Sequence, residues 1–100
     1  MASSSSVYGF NDKSSFRETD MTDKPISPYA ASKKAAEIFA GVFHNLYGLN
    51  INIVRLFTVY GPSGRPDMAP FLFTKWIAEG KTVKRFGAGK SRRAYTYIDD

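Results

Sequence analysis

Hydrophobic side chains recur at three- and four-residue spacing in one long stretch of the chain. The members of this series are Tyr29, Ala36, Phe39, Phe43 and Tyr47. This spacing is typical of an amphipathic α-helix. Ser27 precedes the series as an N-cap, Pro28 as a first helical residue, and Gly48 follows as a stop signal. The pattern predicts a single helix over residues 27–47, with its aromatic side in the core.

Shorter stretches carry the patterns of strands and of a second helix. Residues 51–57 are β-branched and aromatic, which predicts a buried strand. A helix joined to a strand by a short Gly-bearing link is half of a parallel βαβ unit. The remaining predictions are a strand end at residues 3–6, a loop at 10–26, a helix at 70–79, and strands at 82–86 and 95–98.

The composition excludes several kinds of site. The 100 residues are 43% hydrophobic and 15% aromatic, which suits one globular unit at most. There is no cysteine, so disulfides and thiolate metal sites are excluded, and a lone His44 argues against zinc or non-haem iron. No apolar run approaches the roughly 20 residues of a membrane span, and the N-terminus lacks a signal-peptide pattern. We expect no metal and no membrane segment in these residues.

The net charge is +5, from 14 basic and 9 acidic residues, which favours an anionic partner. Part of the excess lies in one basic cluster, which comprises Lys81, Lys84, Arg85, Lys90, Arg92 and Arg93. On charge alone, a nucleic acid and a phosphorylated small molecule fit equally well. No recognition helix, ribonucleoprotein motif or zinc finger accompanies the charge, so we expect no nucleic acid.

Tyr29 and Lys33 stand four residues apart, on one face of the predicted helix. An ammonium group close to a phenol favours the ionised phenol, so such a pair can act as an acid–base device. On spacing alone, however, the better interpretation is a packed aromatic residue beside a surface lysine.

Four ordered segments change that balance. They are SSSSVYG at residues 3–9, SPYAASK at 27–33, RLFTVYGP at 55–62 and RRAYTYIDD at 92–100. Together they resemble the signatures of the extended short-chain dehydrogenases/reductases, the NAD-dependent epimerase/dehydratase family that acts on nucleotide sugars. Residues 57–62 followed by 64–69 are most similar to the UDP-glucuronate 4-epimerases of that family.

The resemblance implies an α/β fold in two parts. Residues 1–62 would be the second half of an NAD(P)-binding Rossmann domain, and residues 63–100 the beginning of a substrate-binding region. The Gly-rich G-x-G-x-x-G half of such a domain is missing from the sequence. We therefore expect a partial sequence that neither holds NAD nor turns over alone. The resemblance further implies a homodimer in the full-length protein, cytoplasmic by default, although a membrane anchor in the missing N-terminal part stays open.

The resemblance also implies the catalytic and cofactor roles. Tyr29 would be the base that takes the proton of the sugar 4-hydroxyl as hydride passes from C4 to NAD. Lys33 would hold the nicotinamide ribose and favour the phenolate, and Ser4 would hydrogen-bond the 4-oxygen. Phe57 would lie beside the nicotinamide end of the cofactor.

Five further residues are candidate substrate contacts, and two of them match contacts of the family. Phe86 matches an aromatic residue that stacks on uracil, and Arg93 matches a guanidinium that grips the diphosphate. Ser5, Thr58 and Arg65 would restrain the sugar carboxylate, although a plain turn role for Arg65 has equal weight. Ala94 stands where the family usually has Asp, which leaves the support of Arg93 in doubt.

Ser5 and Ser6 distinguish between the reactions of the family. Dehydratase relatives carry an Asp-Glu pair after the catalytic Thr, and decarboxylase relatives carry Glu at the position of Ser6. With serine at both positions, the resemblance favours epimerisation of UDP-glucuronate to UDP-galacturonate. The alternatives are a UDP-glucose/galactose 4-epimerase or another nucleotide-sugar reductase, an inactive binding module, and a basic nucleic-acid-binding piece.

Overall fold

A computed structural model describes residues 1–11, 13, 15–85, 87–90 and 92–100. The strands are β1 (Ala2–Ser4), β2 (Val54–Leu56), β3 (Thr58–Tyr60) and β4 (Tyr95–Tyr97). The α-helices are α1 (Pro28–Tyr47) and α2 (Ala69–Ala78), and a 3₁₀ helix (Ser5–Tyr8) follows β1. These elements fall into two compact units, Met1–Leu56 and Phe57–Asp100. The domain boundary expected at residue 62 stays a prediction.

The first unit is built on a parallel strand pair. β1 pairs with β2 so that Ser3 lies beside Arg55 and Ser4 beside Leu56. The connection between the two strands passes through α1, which packs against β1 and the 3₁₀ helix. Val7 and Ala30 are completely buried at this contact. A parallel pair joined through a helix is the βαβ arrangement of an α/β fold, so the predicted fold class is confirmed.

The ends of α1 match the prediction from its flanking residues. The Ser27 side chain accepts a hydrogen bond from the Ala30 amide at 3.1 Å, and Pro28 occupies the first turn. At the other end Gly48 has φ of 65°, and its amide donates to the His44 carbonyl at 2.8 Å. Glycine adopts this left-handed conformation at the lowest energetic cost, since it has no Cβ.

The prediction for the buried side of α1 was wrong. The buried residues of the helix are Ala30, Glu37 and Ala40, whereas Phe39 and Tyr47 are 62% and 66% exposed. Small alanine side chains let the helix backbone come close to β1 and the 3₁₀ helix. The aromatic side has no neighbouring element within the described part of the chain to cover it.

The predicted strand at residues 51–57 is also shorter and less buried than expected. Only Val54–Leu56 pairs as a strand, and Val54 and Leu56 are both exposed. Burial on both faces needs layers on both sides of a sheet, and the described residues supply one neighbouring strand and one helix. The predicted strand end at residues 3–6 stops at Ser4, which caps the 3₁₀ helix instead.

The second unit contains another parallel pair. β3 runs beside β4 with Thr58 opposite Tyr95 and Tyr60 opposite Tyr97, close to the predicted strand at 95–98. Gly61 ends β3 at φ of 141°, where an added Cβ would lie 2.5 Å from Ile98 Cγ2. Only glycine allows the chain to leave the strand so close to its neighbour.

The other predictions for this unit had mixed outcomes. The predicted helix at 70–79 is confirmed as α2, displaced by one residue at each end. The prediction of a strand was wrong for residues 82–85, which form no strand. β-Branched composition favours a strand but does not supply the partner that a strand needs. No helix in the described ranges combines the length and hydrophobicity needed to cross a membrane.

Candidate active site

The first two turns of α1 carry the predicted phenol–ammonium pair. The Lys33 ammonium nitrogen lies 5.8 Å from the centroid of the Tyr29 ring. The same nitrogen donates a hydrogen bond to the Ala2 carbonyl at 3.2 Å. Tyr29 is 55% exposed, so more than half of the residue is open to solvent. The helix period places the two side chains one turn apart, and β1 supplies an acceptor for the lysine.

Ser4 is the last residue of β1 and is buried. Its hydroxyl oxygen accepts from the Ser6 amide at 3.2 Å and lies 3.1 Å from the Ser6 hydroxyl oxygen. Ser5 follows as the first residue of the 3₁₀ helix and is half-buried. The lysine contact to Ala2 is therefore made to the strand that ends, two residues later, at Ser4. Ser4, Tyr29 and Lys33 thus lie in the same compact unit, with Lys33 near the Tyr29 ring and bonded to Ala2 of the strand that contains Ser4.

The second unit holds the other predicted residues that the structure describes. Phe57 and Thr58 are half-buried at the start of β3, and Arg93 is exposed two residues before β4. Phe86 lies outside the described residues.

Arg65 forms a forked ion pair within its own loop. Its Nε donates to Asp67 Oδ1 at 3.0 Å, and Nη2 donates to Oδ2 at 2.5 Å. The side chains of Arg65 and Asp67 are 75% and 62% exposed, and the hydrogen bond from Arg65 lowers the pKa of the Asp67 carboxyl. Arg65 thus holds a carboxylate in bidentate geometry, the geometry that a sugar carboxylate would use.

A buried ion pair, not predicted from the sequence, lies one turn further along the helix than the phenol–ammonium pair. Glu37, 8% exposed, accepts from Arg55 Nε and Nη2, both at 2.9 Å. The Ser3 hydroxyl also donates to Glu37 at 2.6 Å. The helix period could have indicated that Glu37 lies on the same face of the helix as Tyr29 and Lys33, because the three residues follow one another at four-residue spacing.

Electrostatics keep both members of this pair charged. The hydrogen bonds from Arg55, and next from Ser3, lower the pKa of Glu37, and they outweigh the desolvation that would raise it. The hydrogen bond to Glu37 in turn raises the pKa of Arg55 above its ordinary value. A buried carboxylate is tolerated here because it is paired and fully hydrogen-bonded.

The chemistry of the donor set fits a nicotinamide dinucleotide. An ammonium group has three N–H donors, and Lys33 gives one of them to Ala2, which leaves donors for ribose hydroxyls. The exposed Tyr29 hydroxyl lies on the same face of α1. Among the described residues, no three His, Asp or Glu side chains form a group that could hold a metal ion.

Comparison with known proteins places this arrangement in a family. A family model described as "NAD dependent epimerase/dehydratase family" matches residues 1–100. The chain belongs to this family. A UDP-glucuronate 4-epimerase of Thermodesulfobacterium geofontis, one of its members most similar to this chain, is 54% identical over 100 residues. That match covers the whole of this chain and 31% of the relative. The chain therefore spans about a third of the relative's length.

Two solved structures of UDP-sugar 4-epimerases are similar to this chain. The UDP-glucuronic acid 4-epimerase of Bacillus cereus, solved with UDP-glucuronic acid and NAD, has a TM-score of 0.86 at 41% identity. That match covers 98% of this chain and 31% of the solved one. The UDP-glucose 4-epimerase of Thermotoga maritima, solved with UDP-glucose, has a TM-score of 0.89 at 34% identity. This second match covers 98% of this chain and 33% of the solved one. Both likenesses support a Rossmann-type α/β fold.

Proposed function

We propose that the full-length protein is an NAD-dependent 4-epimerase that interconverts UDP-glucuronate and UDP-galacturonate. The observation that carries this proposal is that Lys33 lies near the Tyr29 ring and is bonded to β1, the strand that ends at Ser4, within one compact unit. Relatives and similar structures named as UDP-sugar 4-epimerases support it.

Tyr29 would serve as the acid–base group. As the phenolate, its exposed side chain would meet the 4-hydroxyl of a bound sugar and take the hydroxyl proton as the C4 hydrogen leaves as hydride. The Lys33 ammonium, close to the ring, would stabilise a negative charge on the phenol oxygen during the reaction. The proton returns from the phenol to the 4-oxygen when the sugar is reduced again. Bound NAD would supply the reversible hydride exchange at C4.

Ser4 would orient the 4-oxygen. A serine hydroxyl can donate one hydrogen bond and accept two. Its bond with the Ser6 amide fixes the position of the oxygen, whereas its proton can turn from Ser6 towards a sugar oxygen. Placement of the oxygen by the backbone of the 3₁₀ helix reduces the ordering cost at the moment of reaction.

Lys33 would also hold the cofactor, together with Tyr29 and Phe57. The ammonium protons not given to Ala2 suit the two ribose hydroxyls next to the nicotinamide. Phe57 would contribute an apolar surface at the same end of the cofactor. The part of the family fold that binds the adenosine half would be supplied by other residues of the longer protein.

The substrate contacts proposed in the second unit follow their chemistry. Arg93 would bind the diphosphate through a guanidinium fork, and Phe86 would stack on the uracil. Thr58, Ser5 and Arg65 would hold the sugar carboxylate. Arg65 already binds a carboxylate, and exposed ion pairs are weak, so exchanging Asp67 for a substrate carboxylate costs little.

One observation favours a second candidate, a UDP-glucose/galactose 4-epimerase. If Arg65 stays paired with Asp67, it is committed to its own loop and contributes nothing to a sugar carboxylate. A UDP-glucose 4-epimerase is also among the similar structures. A third candidate, an inactive binding module, is disfavoured because Ser4, Tyr29 and Lys33 are all present.

A homodimer is a further proposal for the full-length protein. The exposed aromatic side of α1, which includes Phe39 and Tyr47, is an apolar surface that needs cover. Light scattering on the purified protein measures the assembly, and a monomeric mass would contradict the proposal.

The direct test incubates the full-length protein and NAD with UDP-glucuronate or with UDP-glucose and identifies the products by NMR. The expected result is UDP-galacturonate, with a much slower reaction on UDP-glucose. Equal rates on both sugars would favour the galactose-type candidate, and turnover of neither would favour the binding module.

A further inference from the structure

A buried carboxylate lies two helical turns after Tyr29 and has no part in the proton and hydride transfers described above. Glu37 is almost fully enclosed, and each of its oxygens accepts a hydrogen bond. Buried charge is costly unless it is paired, and a pair of apolar residues could fill the same space. The presence of a charged group at this position therefore suggests a role beyond filling the core.

Arg55, the partner of Glu37, extends the network to further segments. Its Nη1 donates to the Tyr8 hydroxyl at 3.2 Å and to the Glu18 carbonyl at 3.0 Å. The guanidinium carbon also lies 5.0 Å from the centroid of the Tyr8 ring. One ion pair thus joins α1 to β2, to the 3₁₀ helix and to the loop that precedes α1.

The network meets β1 next to the proposed catalytic residues. Lys33 binds the carbonyl of Ala2, and Glu37, one turn later, binds the hydroxyl of Ser3. Two successive residues of β1 are therefore anchored by two successive residues of one helix face. The next residue of the strand is Ser4.

We propose that Glu37, held by Arg55, is a positioning residue that sets the register of α1 on β1 and so places Tyr29 and Lys33 relative to Ser4. This inference rests on the proposed function. The contacts of Glu37 are to Ser3 and Arg55, so Glu37 would act through β1 and β2 rather than on the sugar or the cofactor. A two-point anchor resists both sliding and rotation of the helix, which a single contact from Lys33 does not.

The geometry explains why a charged fork suits this task better than an apolar contact. Apolar packing tolerates small displacements, whereas a guanidinium–carboxylate fork requires both partners in one plane at hydrogen-bond distance. Arg55 lies on β2, directly beside Ser3 in the strand pair. The helix is therefore held to both strands at a single level of the sheet.

The first test is Glu37→Gln in the full-length enzyme, which keeps the side-chain shape and removes the charge. We expect kcat to fall roughly 10–100-fold, because small misplacements of reacting groups carry costs of that size. The KM for the UDP-sugar should be unchanged, since the variant leaves the substrate contacts intact. Arg55→Lys, which keeps the charge but loses the forked hydrogen bond, should likewise lower kcat and leave KM unchanged.

The matched control is Thr22→Val. Thr22 is buried and accepts a hydrogen bond from Lys34 at 2.5 Å, so it also ties α1 to the preceding loop. It does not contact β1 through this bond. The control should lose thermal stability comparable with that of Glu37→Gln while keeping the wild-type kcat.

A double variant separates positioning from stability. Replacing Glu37 and Arg55 together by methionine removes both charges, and such replacements often preserve or raise stability. We expect a thermal midpoint near that of the wild type but a kcat as low as that of Glu37→Gln. A double variant with the wild-type kcat would overturn the inference, as would an equal loss of kcat in Thr22→Val.

Failure of the proposed function has a different signature. In that case the wild-type enzyme turns over neither UDP-glucuronate nor UDP-glucose. Crystal structures of the wild type and Glu37→Gln then decide the positioning role. A broken Lys33–Ala2 contact with displaced Tyr29 supports the role, and superimposable Tyr29, Lys33 and Ser4 overturn it.

Discussion

The ammonium nitrogen of Lys33 lies 5.8 Å from the centroid of the Tyr29 ring, one turn away on α1. That nitrogen is also hydrogen-bonded to the Ala2 carbonyl, so both the helix and the neighbouring strand restrain it. This arrangement is the basis for the acid–base role proposed for Tyr29.

Tyr29→Phe should lower kcat of the full-length enzyme by roughly 10²–10⁴-fold, the usual contribution of a general acid–base group. Binding of the UDP-sugar should change little, because the ring and its packing remain. Steady-state kinetics and calorimetric titration measure the two effects separately. Tyr47→Phe is the control, since Tyr47 is an exposed tyrosine on the same helix. Near-normal turnover of Tyr29→Phe would refute the assignment.

Arg93→Ala should weaken UDP-sugar binding by about 1–3 kcal/mol, because a charge-assisted contact to the diphosphate is lost. Calorimetric titration of the full-length protein measures the change. Arg92→Ala is the neighbouring control and should bind normally. If Arg92→Ala weakened UDP-sugar binding and Arg93→Ala did not, the diphosphate site would be rearranged where Ala94 replaces the usual Asp.

Arg65→Ala should narrow the preference for UDP-glucuronate over UDP-glucose. The 4-keto intermediate of glucuronate is a β-keto acid, which loses CO₂ when its carboxylate can align with the ketone. The variant should therefore also release some UDP-pentose, which mass spectrometry detects. Asp67→Asn is the matched control, because it removes the carboxylate partner of Arg65 and keeps the guanidinium. A full preference in Arg65→Ala would leave Thr58 and Ser5 as the carboxylate contacts.

The stabilising effect of Glu37 should depend on pH in a defined direction. Its pKa is lowered from the ordinary 4.5, so the folded state disfavours the protonated carboxyl. The contribution to stability is thus fully present above about pH 4.5 and is lost as the pH falls through the lowered pKa. The difference in thermal midpoint between wild type and Glu37→Gln should shrink as the solution is acidified below pH 4.5.

Asp67→Asn provides the comparison for this titration. The pKa of Asp67 is lowered too, but its ion pair with Arg65 is mostly exposed. Solvent and salt screen such pairs, so the variant should change the thermal midpoint little at any pH. A pH-independent gap between wild type and Glu37→Gln would show that Glu37 acts through packing alone.

Local signals predicted α1 well because they act within a few residues. The Ser27 hydroxyl, the Pro28 ring and the left-handed Gly48 each stabilise a helix end through neighbouring backbone groups. The four-residue spacing of Tyr29 and Lys33 likewise places them on one face of any helix that forms there.

The sequence predicted strand pairing and burial less well, because both depend on residues that are distant in the chain. Residues 82–85 have strand-like composition but form no strand, since composition cannot supply a partner strand. The aromatic period of α1 identified a helix but not its buried side. Burial depends on which neighbouring elements are present, and within the described residues β1 meets the alanine side.

The sequence by itself determined the long helix and the placement of Tyr29 and Lys33 on one of its faces, because periodicity and capping are local properties of the backbone. Only the tertiary structure decided that Lys33 binds Ala2 and that Glu37 and Arg55 form a buried pair. Glu37 and Arg55 are separated by 18 residues of sequence. Their contact exists because α1 returns the chain so that β2 lies beside β1, which no local pattern encodes.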